Sequence, residues 1–283
     1  MSKVLITGSG GALGRAIVNQ LTTDGGTELV SPGRATLNIS NKAHIESVIA
    51  QVKPDTILHL AASFAADFEH AYRINVESSK TILETVSRSD QLTKVILIGS
   101  AAEYGHVLAD GNPVKETHIL QPVSIYGVTK AWQTQLMNLY ASLGVDVAVA
   151  RIFNLYGRGI SQQLFAGSLQ AQIDGVLSGE RETIKLGDLS STRDYISTKH
   201  AARQVIAISK YAESGHVYNV ASGEPITMKD LLQRYLRHNN LDESIVRYAG
   251  TLSSRSSYNV SMIYADISKI KKLLEVEQKF AEN

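Results

Sequence analysis

A short apolar strand, Val4-Leu5-Ile6, runs straight into the turn Thr7-Gly8-Ser9-Gly10-Gly11-Ala12-Leu13-Gly14, which opens an amphipathic segment, Gly11–Thr23. Glycines at 8, 11 and 14 between a strand and a helix permit a tight turn, close approach of a ligand to bare backbone, and close packing of helix on strand. Exposed N–H groups and the helix dipole at such a turn attract an anion, so this is a candidate pyrophosphate site for a dinucleotide. Gly8, Gly11, Ala12, Leu13 and Gly14 are its expected contacts. Taken alone, the same pattern also fits an ordinary glycine-rich βα turn.

The chain then repeats this opening. Val/Ile/Leu-rich runs at Val4–Ile6, Glu28–Val30, Thr56–Leu60, Lys94–Ile98 and Asp146–Ala150 read as strands buried on both faces, with helical patterns at Ala43–Gln51, Phe68–Ser87 and Ser124–Ser142 between them. This alternation predicts an α/β fold, a doubly wound parallel sheet flanked by helices. After Arg151, glycines at Gly157, Gly159, Gly167, Gly175, Gly179 and Gly187 punctuate shorter elements, as expected of a region built around a ligand. The expected division is a dinucleotide-binding domain over 1–155, rejoined by about 195–222, and a small, discontinuous substrate-binding region over 156–194 and 223–283.

Composition removes several function classes. The 283 residues, 43% of them hydrophobic, suffice for one large core. A net charge of +1, with 28 basic against 27 acidic residues and no run of one sign, supplies no basic field for nucleic acid or an anionic membrane. The absence of cysteine removes disulfides, thiolate nucleophiles and Cys-based zinc sites. The apolar runs are too short to span a membrane, and a strand beginning at residue 3 leaves no room for a leader peptide, so a cytoplasmic location is expected. No Gly-x-Ser-x-Gly elbow and no His-Glu-x-x-His pattern occurs, which argues against a hydrolase, and no metal site is expected. His59 and His216 lie in strand-like runs and read as core or supporting residues.

Two further features carry chemistry. The second strand ends in Ser31-Pro32-Gly33-Arg34, where a carboxylate would accept ribose hydroxyls and an arginine suits a 2′-phosphate. No acid is there, since Glu28 comes too early, so Arg34 favours NADP(H) over NAD(H); the alternative is an arginine in a solvated turn. Tyr126 and Lys130, four residues apart at the head of a helix, share one face. A phenol with a pKa near ~10 is a poor proton-transfer group at neutral pH until an ammonium beside it stabilises phenolate. Tyr126 is then the expected proton donor or acceptor. Ser100, just beyond the strand Lys94–Ile98, is expected to bond the same substrate oxygen and align the reacting carbon for hydride transfer.

These stretches, with Leu58-His59-Leu60-Ala61-Ala62, Asn75 and Ser100-Ala101-Ala102-Glu103-Tyr104-Gly105, resemble the extended short-chain dehydrogenase/reductases of the NAD-dependent epimerase/dehydratase family, which modify nucleotide sugars. The likeness continues through Arg151-Ile152-Phe153-Asn154-Leu155-Tyr156-Gly157, Arg193-Asp194-Tyr195 and Tyr218-Asn219-Val220-Ala221-Ser222-Gly223, nearly the whole chain. It implies a Rossmann-type fold and a homodimer built from the helices Phe68–Ser87 and Ser124–Ser142. It also implies cofactor contacts at Asn38, Ile39, Leu60, Ala61, Ala62, Asn75, Tyr126, Lys130 and Phe153. Substrate contacts are implied at Ser100, Ala101, Ala102 and Tyr126, with Asn154 and Arg193 on the diphosphate, a task that suits the forked donors of arginine.

Within the family, dehydratases carry Asp-Glu directly after the catalytic Ser or Thr; here the residues are Ala101-Ala102, and Glu103, taken as extended backbone, points to the opposite face. Fucose-forming epimerase/reductases use a Cys/His pair that this chain lacks. Reduction of a 4-keto-6-deoxy nucleotide sugar remains, as does 4-epimerisation with retained NAD. The resemblance to GDP-6-deoxy-4-keto-mannose reductases favours reduction. Ile152, Arg158 and His200 depart from the usual Pro, Pro and Asp, which points to a reshaped substrate loop. A non-catalytic NADP(H)-binding sensor or scaffold is the alternative outside enzymes, and such proteins usually lose the Tyr or the Lys.

Overall fold

The computed structural model describes residues 1–248 and 260–281; parts of the expected substrate-binding region (249–259 and 282–283) lie outside the described residues. In chain order the first half runs β1 (Ser2–Thr7), α1 (Ala12–Asp24), β2 (Thr27–Val30), α2 (Lys42–Val52), β3 (Thr56–His59), α3 (Phe68–Tyr72), α4 (Ser78–Ser87), β4 (Lys94–Ser100), α5 (Ile125–Ser142) and β5 (Val147–Ile152). There follow β6 (Asn154–Tyr156), α6 (Phe165–Leu177), β7 (Ile184–Leu186), β8 (Thr192–Ser197), α7 (Thr198–Tyr211), β9 (Val217–Val220), β10 (Pro225–Thr227), α8 (Met228–His238), β11 (Val246–Tyr248), β12 (Met262–Ile263) and α9 (Ser268–Ala281).

Six strands form the main sheet in the order β2-β1-β3-β4-β5-β9, every neighbouring pair parallel. Period-two alternation within continuously apolar strands lets both faces bury. Val4, Ile6, Leu58, Ile96, Ala148 and Ala150 pack against α1, α7 and Ile270 of α9 on one side. Leu5, Ile57, Val95, Leu97, Val147 and Val149 pack against α2, α4 and α5 on the other. The chain steps from β1 outward to β2 and then back across to β3, so the order reverses between β1 and β3. Ligands of open α/β sheets bind beyond the carboxyl ends of strands at such a reversal.

The expected helix Phe68–Ser87 is found over the same residues but is not α-helical throughout: α3 and α4 are joined by a π turn, Arg73–Glu77. The turn coincides with Asn75, which is fully buried and whose side chain bonds outward to a loop and to α5. Periodicity alone does not register one extra residue in a turn. Beyond β5, β8 pairs with β6, β10 and β12, and β7 pairs with β11 under α6 and α8. Among the described residues no helix is long and apolar enough to cross a membrane.

Candidate active site

A cavity of about 1310 Å³ opens over the carboxyl ends of β1, β3, β4 and β5, larger than the ~300–1,000 Å³ of a pocket for one drug-sized ligand. At its floor, the β1 turn is pressed against the end of β3. The Thr7 hydroxyl accepts the Ala61 N–H (3.3 Å) and meets His59 Nδ1 (2.8 Å). Gly8 has φ +73°, and a Cβ there would lie 2.6 Å from the Ala61 nitrogen; one on Gly14 would lie 2.6 Å from the Gly8 carbonyl oxygen. Both glycines are therefore sterically required, and the free N–H groups at the start of α1 face the cavity, a cradle whose shape and polarity fit a dinucleotide pyrophosphate. Gly8, Gly11, Ala12, Leu13, Gly14, Arg34, Asn38, Ile39, Leu60, Ala61, Ala62 and Phe153 all line the cavity.

Ser100, Tyr126 and Lys130 meet on the same wall. Ser100 ends β4, and Ser124 caps α5 by accepting the Gly127 N–H (3.0 Å), which sets Tyr126 and Lys130 on the first turns of the helix. The Lys130 ammonium stands 5.9 Å from the centre of the Tyr126 ring. Burial pushes the phenol well above its ordinary pKa, a hydrogen bond from Ser100 pulls it back down, and the charge of Glu103 raises it. Burial lowers Lys130 to about 8, against an opposing pull from Glu103. The Phe64 ring packs on Tyr126 with centroids 4.4 Å apart and also lines the cavity, a contact that no motif signals because Phe64 sits in an irregular loop.

Three positions differ from expectation. Asn75 does not line the cavity; it sits behind the wall, donating to Ser63 O (3.0 Å) and Thr129 Oγ1 (2.9 Å) and accepting from Ser63 N (2.8 Å). Glu103 is in a 3₁₀ turn, Ala101–Glu103, not in extended backbone. It still leaves the cavity, because Arg151 binds its carboxylate at 2.8 Å, Thr134 donates to it at 2.7 Å, and the Ser100 N–H donates to it at 2.7 Å. Ala101 and Ala102 face the cavity in its place. His216 precedes β9, with a side chain 44% exposed and 3.3 Å from Glu213, so it is not a core residue.

His59 is the buried histidine. Burial first, and then the Lys130 charge, lower its pKa to about 3, so its ring is neutral between Thr7 Oγ1 and Ser78 Oγ (3.0 Å). An unfolded chain protonates it below the ordinary 6.5. Because the folded pKa is the lower one, its stabilising contribution is present above 6.5 and is lost progressively between 6.5 and about 3, by up to ~1.4 kcal/mol per pH unit. Urea unfolding at pH 7 and pH 5 is expected to show a smaller acid loss for His59→Asn than for the unaltered chain; equal losses would place the acid sensitivity elsewhere.

At the far wall, Arg193 projects from β8, half-buried, its Nη1 donating to Thr192 O (2.9 Å) and Ser261 O (3.5 Å). No carboxylate pairs with it among the described residues, and burial disfavours its charge. Asn154 lines the same wall and donates to Asp194 O (2.9 Å). Asp194 itself is buried, accepting from Ser222, Gly223 and Ala265, and so ties three segments together behind Arg193. The lining includes Arg34, Lys130 and Arg193, and not one Asp or Glu among the described residues. Such a wall accepts anions.

Comparison with known proteins gives the same outline. The family model described as "NAD dependent epimerase/dehydratase family" matches residues 4–221. A dTDP-4-dehydrorhamnose reductase of Aggregatibacter actinomycetemcomitans is 25% identical over 221 residues, 76% of this chain and 74% of the relative. A GDP-6-deoxy-D-mannose reductase of Pseudomonas aeruginosa is 26% identical over 187 residues, 64% of this chain and 62% of the relative, so the match spans under two thirds of that protein. Among solved structures, RMD from Pseudomonas aeruginosa complexed with NADPH superposes with a TM-score of 0.86 at 20% identity, covering 96% of this chain and 92% of that one. A Thermus thermophilus UDP-glucose 4-epimerase in complex with NAD gives 0.83 at 21% identity, covering 97% and 93%.

Proposed function

Because the chain belongs to the NAD-dependent epimerase/dehydratase family, we propose that it is an NADP(H)-dependent reductase of a 4-keto-6-deoxy sugar carried on a nucleoside diphosphate. The observation that carries this reading is the cavity walled by Arg34, Lys130 and Arg193, with no Asp or Glu in its lining among the described residues. A carboxylate after β2 would favour NAD, and carboxylates after Ser100 would serve dehydration; here Arg34 follows β2 and Ala101-Ala102 follow Ser100, all three lining the cavity. The two reductases above are named for a 4-dehydro sugar on dTDP and a 6-deoxy sugar on GDP, which supports the substrate class.

A nicotinamide bound in the cavity supplies the hydride. Tyr126 gives its hydroxyl proton to the substrate carbonyl oxygen as charge develops there; burial keeps the phenol protonated until then, and the hydrogen bond from Ser100, which lowers its pKa, eases the release. The Ser100 hydroxyl donates to that oxygen and holds the carbonyl carbon in line. The Lys130 ammonium stabilises the phenolate left on Tyr126. Arg193 and Asn154 hold the diphosphate, so the sugar end lies over Tyr126 and Phe64. The cluster runs equally well in reverse, and the fold likeness to an epimerase keeps a 4-epimerase with retained NAD as the second reading.

The test is to release and identify any dinucleotide that co-purifies, then titrate the stripped protein with NADPH and NADH by fluorescence. An empty site that prefers NADPH is the expected result, and Arg34→Glu should weaken NADPH about tenfold to a hundredfold while sparing NADH, the size of a lost charged hydrogen bond. Tightly retained NAD would favour the epimerase. An unchanged preference in Arg34→Glu would remove the assigned role of Arg34.

A further inference from the structure

We infer that Gln133 is a positioning residue for Lys130: its side-chain amide fixes the ammonium from behind, with a neutral acceptor, and connects it through Ser79 to the π turn at Asn75. The inference rests on the reading of Tyr126 and Lys130 as the proton-transfer pair. Lys130 and Gln133 are both almost wholly buried. An ammonium has three donors and no acceptor. One goes to Ile98 O (2.8 Å) and a second to Gln133 Oε1 (3.0 Å), which leaves the third for the cavity side, toward Tyr126.

The orientation of the amide is set by its neighbours. Gln133 Nε2 donates to Ser79 Oγ (2.7 Å), and the Ser79 hydroxyl donates in turn to Asn75 O (2.9 Å). Turned over, the amide would bring its NH₂ against the ammonium, donor against donor. A second path runs beside the first: Asn75 Nδ2 donates to Thr129 Oγ1 (2.9 Å), whose hydroxyl donates to Tyr126 O (3.0 Å). The π turn, through its buried Asn75, therefore anchors both members of the pair, Tyr126 through its backbone and Lys130 through Gln133.

Charge matters as much as reach. The titratable groups that act on Lys130 or stand beside it are Tyr126 on its own helix, Glu103 from the turn after β4, and His59 at the end of β3, which is neutral. Glu103 is already bound to Arg151. A carboxylate at position 133 would put an unshared negative charge directly on the ammonium and fasten its proton; the amide gives the same bond without that charge.

The experiment uses the full chain, free of ligand, with ¹³C-labelled lysine, following the Lys130 side-chain signal against pH by NMR and assigning it with Lys130→Met. Gln133→Glu, which keeps shape and adds charge, is expected to raise the Lys130 midpoint by about one pH unit or more. Gln133→Leu is expected to lower it, and to cut kcat about tenfold or more while the KM for NADPH moves little. An unmoved midpoint in both variants overturns the inference. Should Gln133→Leu fail to fold, the isosteric Gln133→Glu decides alone. Since the titration needs no substrate, a shifted midpoint in a protein that reduces no keto sugar would refute the proposed reaction and leave the placement of Gln133 standing.

Discussion

Tyr126→Phe is expected to slow reduction of the keto sugar by about 10²- to 10⁴-fold, the range of a lost general acid, while NADPH affinity stays close to that of the unaltered protein. The substitution removes one oxygen and leaves the ring that packs on Phe64 at 4.4 Å, so neither the cavity wall nor the head of α5 has reason to move. The Ser100 hydroxyl and the Lys130 ammonium would remain, but the bond from Ser100 to the phenol oxygen and the acidic proton would both be gone. Turnover assays paired with fluorescence titration of NADPH separate the two effects. Full activity in the phenylalanine variant would show that Tyr126 is not the proton donor, and loss of NADPH binding would make it a structural residue.

Arg151→Met is expected to cost about 3–5 kcal/mol of folding stability, because it leaves the Glu103 carboxylate buried with its charge uncompensated. Arg151 is 1% exposed, and both its Nε (3.0 Å) and its Nη2 (2.8 Å) donate to the same Glu103 oxygen. Thr134 and the Ser100 N–H remain as donors to Glu103, but neither carries a positive charge. The double variant Arg151→Met with Glu103→Gln removes the stranded charge and should recover much of the loss, in line with the small net worth of many buried ion pairs. Urea unfolding of both variants measures this. A single variant within about 1 kcal/mol of the unaltered chain would mean that water reaches Glu103 and that the pair does not fasten β4 to β5.

What was legible beforehand depended on the range of the interaction that fixes each residue. The first five strands of the main sheet follow from continuous apolar runs between turns, a local property, and they lie within a residue or two of expectation. Ser100, Tyr126 and Lys130 were legible because helix spacing and a strand end place them with little help from the rest of the chain. The π turn was not: periodicity does not register it, and the buried Asn75 within it bonds to Thr129, 54 residues on. The position of Glu103 also depended on distant partners: the reading as extended backbone was wrong, and the carboxylate turns away to meet Arg151, 48 residues on. Gln133 carries no motif, although a spacing of three on α5 brings it to Lys130; Phe64 carries none either, and only packing brings it to Tyr126.

The central claim is that the cavity reduces a keto sugar with an exchanging NADPH. Its most direct test is to mix the purified chain with NADPH and a nucleoside-diphosphate 4-keto-6-deoxyhexose, follow the loss of NADPH absorbance, and identify the sugar product by NMR. One NADPH consumed for each carbonyl converted to a hydroxyl is the expected result. Conversion of a nucleotide hexose to its 4-epimer by protein-bound NAD, with no net consumption of NADPH, would contradict it.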